Sequence, residues 1–469
     1  MVAHLIKSRM DIIKTLLKVL VIAVVYLGVG PWLGFYLKGK ERGRRVALGF
    51  MAWWLVRPPS DFTLMLYSVE QYRGHCRGFE FNYLEAIALG LALAAFLEKR
   101  KDFRFFPPGL WAWFLWIGVG LLSVPGAIDS IYALMPAVKF AKMGFVFVGV
   151  FAALHDERDV KVVFRGFAIA LITQLVVCVW ARYVNGDFRV KGWFEHSNPM
   201  AMWSYMLALP VLAIALSKTT TPRDVILYFC AYGAAGVVVV FTVSRASLAA
   251  FVVGTVLVML GSFLQGITVR RVALGVFGAL CGVLVLLKAS DTYAMREGGD
   301  SSPKNDLRYA LNQQSAAMHE DHPWVGIGWN NFGLANSRPL GLKYSQILER
   351  WEENRGSHIY PEKFMANPLT ESFYWLAIAE TGNLGFAAIL LFLGISLWHG
   401  VRSTVYFWKT PSGLLLYGLS VALGVAYFHL QVERILVQTK NLTTWIIFCA
   451  ILSRAEWWRR QAKAKRKLG

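Results

Sequence analysis

The chain is dominated by apolar segments of about 20 residues, the length that crosses a hydrocarbon layer as a helix. They recur at 16–36, 78–97, 109–128, 131–154, 166–183, 199–216, 225–242, 246–267, 272–289, 372–397, 413–430 and 435–453. Lipid offers no hydrogen bonds to bare backbone, and segments about twice as long as a barrel strand satisfy their own peptide groups only as helices. At 56% hydrophobic and 14% aromatic residues over 469 positions, the composition also lies outside the range of soluble domains. The expected fold is all-α, a polytopic transmembrane bundle of about 12 spans with one large external loop. The run 46–67 is broken in its middle by Arg57, Pro58, Pro59 and Asp61, and reads as a re-entrant or interrupted segment.

A net charge of +20 invites a nucleic-acid reading, yet the basic residues punctuate alternate loops rather than gathering on one face. Lys7, Arg9, Lys14 and Lys18 precede the first span, Lys99, Arg100, Lys101 and Arg104 follow another, and Arg270 and Arg271 mark a third. The tail 454–467 has seven basic residues against one acidic. This is the positive-inside pattern, so no nucleic-acid partner is expected. With those loops in the cytoplasm, alternation puts 185–198, 243–245 and 289–370 together on the opposite side. Lys38, Lys40, Arg42, Arg44 and Arg45 break the scheme unless 46–67 crosses the membrane. Five scattered cysteines, with no histidine at ligand spacing, read as small core residues, so neither a metal site nor a disulfide framework is expected. The first apolar run is long and lacks a small-residue cleavage site, so no cleavable signal peptide is expected.

The segments assemble as one integral domain: an amino-terminal bundle at 1–288, a loop or lid at 289–370, and carboxy-terminal helices with a basic tail at 371–469. Within the lid, 305–318 has helical spacing and 345–353 suits a second helix, with Pro323, Gly326, Gly328, Gly333 and Gly341 demanding turns between them. Trp324, Trp329 and Trp351 give this loop too many apolar anchors for a disordered connector.

Four constellations carry candidate chemistry. Arg189, Lys191, Glu195, His196 and Asn198 precede the span that opens at Pro199, where cations grip an anionic headgroup or simply snorkel to the interface. Arg245 is pinned in the short turn Thr242-Val-Ser-Arg-Ala-Ser247, and a membrane-boundary arginine calls for an anionic partner: a phosphate, or a salt bridge to Glu195 or Glu371. Arg308 lies on the first lid helix, followed by His322-Pro-Trp-Val-Gly-Ile-Gly-Trp-Asn-Asn-Phe332, in which Gly326 and Gly328 allow close backbone approach to a sugar or phosphate. Glu371 opens the next span, as a desolvated base or as a carboxylate complementing the helix dipole. Glu380, deeper in that span, suits a buried structural pair. Lys139 and Lys142 share one face within a span, as a headgroup path or as partners of Glu85.

The order of these motifs resembles the O-antigen ligase and polymerase superfamily over roughly residues 160–400: an Asn-Pro loop, Ser-Arg at the top of a span, an arginine-bearing loop helix, Gly-Ile-Gly-Trp-Asn-Asn-Phe, then Glu-Thr-Gly-Asn-Leu-Gly. The resemblance implies a bacterial inner-membrane glycosyltransferase with its site facing the periplasm. Such an enzyme moves an oligosaccharide from undecaprenyl diphosphate to an acceptor hydroxyl of a glycan, a lipid A core or a protein, with inversion and with neither metal nor cofactor. On that resemblance Arg245 and Arg308 hold the diphosphate, assisted by Arg189 or Lys191, and Trp324, Trp329 and Asn330 face sugar or lid. Ligases open the last motif with a histidine, where this chain has Glu371. The base is then Glu371 or His358, and the balance tips toward repeat-unit polymerase. A flippase handling the same lipid without chemistry is the rival, although it calls for internal repeats with corresponding broken helices, which the sequence lacks apart from the single break at Pro58-Pro59.

Overall fold

The computed structural model describes residues 2–56, 63–68, 72, 74–99, 103–276, 278–279, 304–336, 343–353 and 369–468. Helices dominate it. The amino-terminal part comprises α1 (Val2–Ala23), a short π-turn (Val24–Val29), α2 (Gly30–Leu37), α3 (Glu41–Trp54), α4 (Tyr83–Leu97), α5 (Leu110–Leu122), α6 (Ser130–Ala153), α7 (Glu157–Tyr183), α8 (Ser197–Leu216), α9 (Pro222–Phe241) and α10 (Arg245–Leu264). The lid contributes α11 (Lys304–Asp321), α12 (Phe332–Ala335) and α13 (Lys343–Glu353), and the chain closes with α14 (Phe373–Phe407), α15 (Gly413–His429) and α16 (Thr439–Leu468). Both lid helices expected from periodicity are present.

Seven described helices are long and apolar enough to cross a membrane, and Tyr83–Leu97, Leu110–Gly126 and Gly413–His429 are shorter apolar helices. The twelve expected spans are thus not all of membrane length among the described residues, and most of 272–289 lies outside them. The all-α expectation needs one correction. An antiparallel ribbon joins β1 (Thr63–Leu66) to β2 (Phe79–Asn82), with Leu66 opposite Phe79 and Thr63 opposite Asn82. Phe79-Glu-Phe-Asn82 alternates apolar and polar residues, the period of a strand rather than of a helix.

Hydrogen bonds at the helix ends sort the loops into two groups. At one end, Gly39 N donates to Glu98 Oε1 at 2.8 Å and Arg45 Nε meets Asp159 Oδ1 at 2.8 Å. Arg104 stacks over Trp457 there, and Ser217 Oγ donates to the Pro411 carbonyl at 3.4 Å. Arg270 and Arg271 lie at this end as well. They donate to the Ala215 and Leu216 carbonyls at 2.6 and 3.1 Å and so cap the carboxy-terminus of α8, where cations complement exposed carbonyls. The loop 38–45, anomalous in the sequence, therefore lies with Arg104, Arg270 and Arg271, whereas Lys18, counted with the basic loops in the sequence, lies at the opposite end. The reason is that α3 heads back toward the opposite end, where Lys18 Nζ reaches the Met65 carbonyl at 3.1 Å. The segment read as interrupted begins with a helix of 14 residues, Glu41–Trp54, while Arg57, Pro58, Pro59 and Asp61 lie outside the described residues.

At the far end, Val190 N donates to the Phe241 carbonyl at 3.1 Å and Phe373 N to the Leu430 carbonyl at 3.0 Å. Asn331 Oδ1 accepts from Asp129 N at 2.8 Å. At the centre stands α8, buried along its whole length between α7, α9, α10 and α15, so its apolar side chains meet protein on all sides. Its first turn delivers Asn198 to this far end, where the candidate residues gather.

Candidate functional site

Glu371 lies just ahead of α14. The next residue, Ser372, caps that helix by accepting from Trp375 N at 3.4 Å, which fixes the carboxylate at the bundle mouth. The lid helix α11 packs on α14, and Thr370 Oγ1 meets Asn312 Oδ1 at 2.9 Å. One turn earlier on α11, Arg308 donates from both Nε and Nη2 to Glu371 Oε2. Its Nη2 also lies 3.8 Å from Glu433 Oε1. Glu433 was not singled out in the sequence. It sits in the turn after α15, its side chain only 9% exposed, and Asn198 Nδ2 donates to its Oε1 at 2.7 Å. Asn198 Oδ1 in turn accepts from Arg189 Nη2 at 3.0 Å, and Arg189 Nε points to the Thr242 carbonyl at 3.4 Å.

The result is one chain of contacts, Glu371–Arg308–Glu433–Asn198–Arg189, drawn from four separate stretches of sequence. Desolvation, with Glu371 nearby, pushes the Glu433 carboxyl up to about 7, although Arg308 and Arg434 pull the other way. Arg245 opens α10 three residues beyond Thr242, and the backbone bond between Val190 and Phe241 holds the Arg189–Lys191 segment against that turn. Both Arg245 and Lys191 are exposed. The carboxylates considered as structural partners of Arg245 have other cations beside them: Glu195 pairs with Arg77 at 3.0 Å, and Glu371 with Arg308. His358 lies outside the described residues.

The two glycine-bearing motifs prove to be halves of one joint. The long helix α14 breaks at Gly382 (φ 62°, ψ −167°), and the loop 323–332 stitches onto the break. Ile327 N donates to the Ala379 carbonyl at 3.0 Å, Gly328 N to that of Glu380 at 3.2 Å, and Asn383 N to that of Pro323 at 2.8 Å. Gly326 and Gly328 therefore use their freedom to approach protein backbone, not a sugar or phosphate. A Cβ on Gly326 would stand 2.3 Å from the Glu380 carbonyl carbon, and its φ of +73° already disfavours side chains. Gly326→Ala is expected to remove most folded protein, read as a lost monodisperse peak in detergent size-exclusion; a wild-type peak would refute the joint.

Glu380 lies beneath this joint and is fully buried, as its structural reading anticipated. His75 Nε2 stands 3.0 Å from its Oε2, Asn330 N donates to Oε2 at 2.9 Å and Phe332 N to Oε1 at 3.1 Å. Trp329 and Asn330 belong to the same packing. Trp329 is 1% exposed, its ring 5.1 Å from both Trp116 and Phe140, and Asn330 Nδ2 donates to the Cys76 and Tyr132 carbonyls at 3.2 Å. Neither faces the mouth, because an indole and a carboxamide with these partners are committed to the interior. Trp324, at 66%, is exposed, unlike Trp329. Lys142 pairs with Glu85 at 3.1 Å, while Lys139 donates to the His75 carbonyl at 3.0 Å and lies 3.9 Å from Glu80. These lysines stay within the bundle, apart from the Arg308 cluster.

An apolar helical bundle with membrane-length helices, its arginines and carboxylates gathered at one end, defines the chain as a membrane protein. Residues 230–390 match the family model described as O-antigen ligase, so the resemblance read from motif order holds over that stretch. The match takes in Arg245, Arg308 and Glu371, and leaves Arg189, Asn198 and Glu433 on either side. No curated protein matches the chain.

Proposed function

We propose that this protein is an inner-membrane glycosyltransferase of the O-antigen ligase or polymerase type, moving an oligosaccharide from undecaprenyl diphosphate to an acceptor hydroxyl at a periplasmic mouth. The observation that carries the reading is Arg308. A half-exposed guanidinium on a lid helix, flanked by two carboxylates and within the matched stretch, supports it, since such a cation can bind a departing diphosphate while a carboxylate meets the incoming hydroxyl. Arginine suits this because its fork of N–H groups matches phosphate oxygens two at a time. Arg308 and Arg245 bind the diphosphate, with Arg189 or Lys191 assisting. Trp324 stacks on sugar. Glu371 and His358 are the base candidates read from the sequence.

In the reaction, the acceptor hydroxyl gives up its proton as its oxygen attacks the anomeric carbon. The bond from that carbon to the diphosphate oxygen breaks, the electron pair leaves with the lipid diphosphate, and configuration inverts. The arginines stabilise charge that grows on the leaving group, which is where electrostatic catalysis acts most strongly.

The test is transfer by purified protein in lipid nanodiscs, given a lipid-diphosphate oligosaccharide and an acceptor glycan. Expected products are a new glycosidic bond and free lipid diphosphate. Movement of the lipid between leaflets with no bond formed would overturn the reading. For Arg245→Ala, losing one charge-assisted contact to the diphosphate is expected to lower kcat/KM by about 10- to 100-fold; an unchanged value would remove Arg245 from the site.

A further inference from the structure

Of the two base candidates read from the sequence, Glu371 is already committed and His358 lies outside the described residues. Both Nε and Nη2 of Arg308 donate to the same oxygen, Oε2, so Glu371 anchors the guanidinium over the mouth. Its side chain is 44% exposed, leaving it open to water as well. Glu433 stands on the other side of Arg308 and differs in each respect. It is 3.8 Å from Nη2, beyond a direct hydrogen bond, and is largely withdrawn from solvent, with a small exposed edge at the mouth. The side chain of Asn198 holds its Oε1 and so sets the carboxylate's rotation.

We infer that Glu433, oriented by Asn198, is the general base that takes the acceptor hydroxyl's proton, while Glu371 positions Arg308 for the leaving diphosphate. This rests on the transferase reading above. Two carboxylates astride one cation then have different tasks, decided by what each touches. As the acceptor O–H bond breaks, its proton passes to Glu433, its oxygen bonds to the anomeric carbon, and the leaving electron pair goes to the diphosphate beside Arg308. The proton later leaves Glu433 for the released diphosphate or for water.

The surroundings match the task. Desolvation is the largest influence on Glu433 and Glu371 adds to it, against Arg308 and Arg434, which puts the carboxyl at about 7, where a base accepts protons without being silenced at neutral pH. Two further titratable side chains stand close by among the described residues: His429, one turn back on α15, and Tyr205 on α8, whose hydroxyl lies 3.0 Å from His429 Nδ1. Glu433 is absent from the motif order that drew attention to Glu371, because it lies beyond the matched residues, in the four-residue turn 431–434 between two apolar segments.

The experiment follows initial rates across pH 5 to 9 for wild type, Glu433→Gln, Glu433→Asp, Glu371→Gln and His358→Ala, in the nanodisc transfer assay. Farnesyl diphosphate serves as the probe of donor-site binding. Because the base must be deprotonated, wild-type kcat/KM is expected to fall below a midpoint near 7. Glu433→Gln keeps the shape and the acceptor for Asn198, so farnesyl diphosphate affinity is expected within about threefold of wild type. Its kcat is expected to fall by at least about 100-fold, the usual contribution of a general base, with the acidic limb abolished. Glu433→Asp retains the limb at reduced rate, and covers the case in which the glutamine variant does not fold. Glu371→Gln weakens farnesyl diphosphate binding yet keeps the limb. Turnover by Glu433→Gln above a tenth of wild type, or loss of the limb in His358→Ala or Glu371→Gln instead, overturns the assignment. Wild-type protein that forms no glycosidic bond sinks the transferase reading itself, a result distinct from any of these.

Discussion

Arg308→Ala is expected to lower glycan transfer by about 100- to 1000-fold, the range seen when a preorganised donor to developing negative charge is removed. The argument turns on separating activity from stability. Arg308 and Glu371 are 43% and 44% exposed, and an ion pair that open to water contributes at most about 1 kcal/mol to folding. The variant should therefore fold, and any large loss must come from the reaction. Removing the guanidinium also leaves Glu371 and Glu433 without the cation between them, which repels an incoming diphosphate. Arg308→Lys restores charge but not the fork, so it recovers only part of the rate. The measurement is single-turnover transfer with saturating donor, beside a thermal unfolding curve. Transfer within threefold of wild type would remove Arg308 from the mechanism.

The second large effect is on the fold. Glu380→Ala is expected to cost about 3–5 kcal/mol, because it strips the shared acceptor from groups sealed away from water. Asn330 N and Phe332 N would lose their bonds of 2.9 and 3.1 Å, and His75 its contact at 3.0 Å. That is a large fraction of a typical net stability of about 5–15 kcal/mol. Glu380→Gln preserves one acceptor oxygen and should cost less. A shift in the midpoint of unfolding in mixed micelles, with earlier proteolysis of the loop 323–332, is the expected readout. An unchanged midpoint for Glu380→Ala would mean that the joint draws its strength from elsewhere.

These two glutamates mark how far the sequence can be read. Glu380, nine residues into a span, is legible as a buried carboxylate, because burial follows from depth in an apolar helix, whereas Glu371 at its start, read as a desolvated base or a carboxylate on the helix dipole, is 44% exposed. Their partners are not legible. Arg308 is 63 residues from Glu371, and Asn198 is 235 residues from Glu433. Trp329 shows the opposite error. A tryptophan between glycines in a polar loop suggests a stacking platform, yet its ring fills a gap between Trp116 and Phe140 because the loop folds inward onto the break in α14. Glu433 was passed over because a short turn with one acid and one arginine has no periodicity to betray it.

What the sequence determined alone was set by quantities that accumulate along the chain. Apolar segments long enough for lipid impose helices, alternating basic loops sort the ends, and two helical stretches in the polar interval form where their periodicity and turn residues put them. Tertiary structure alone decided which carboxylate anchors Arg308 and which is held beside it by Asn198, that the glycines serve a loop-to-helix joint, and that Lys38–Arg45 joins the basic end. Those outcomes depend on which helix faces cross and at what height. Packing of side chains on neighbouring helices fixes both, and no local stretch of residues encodes them.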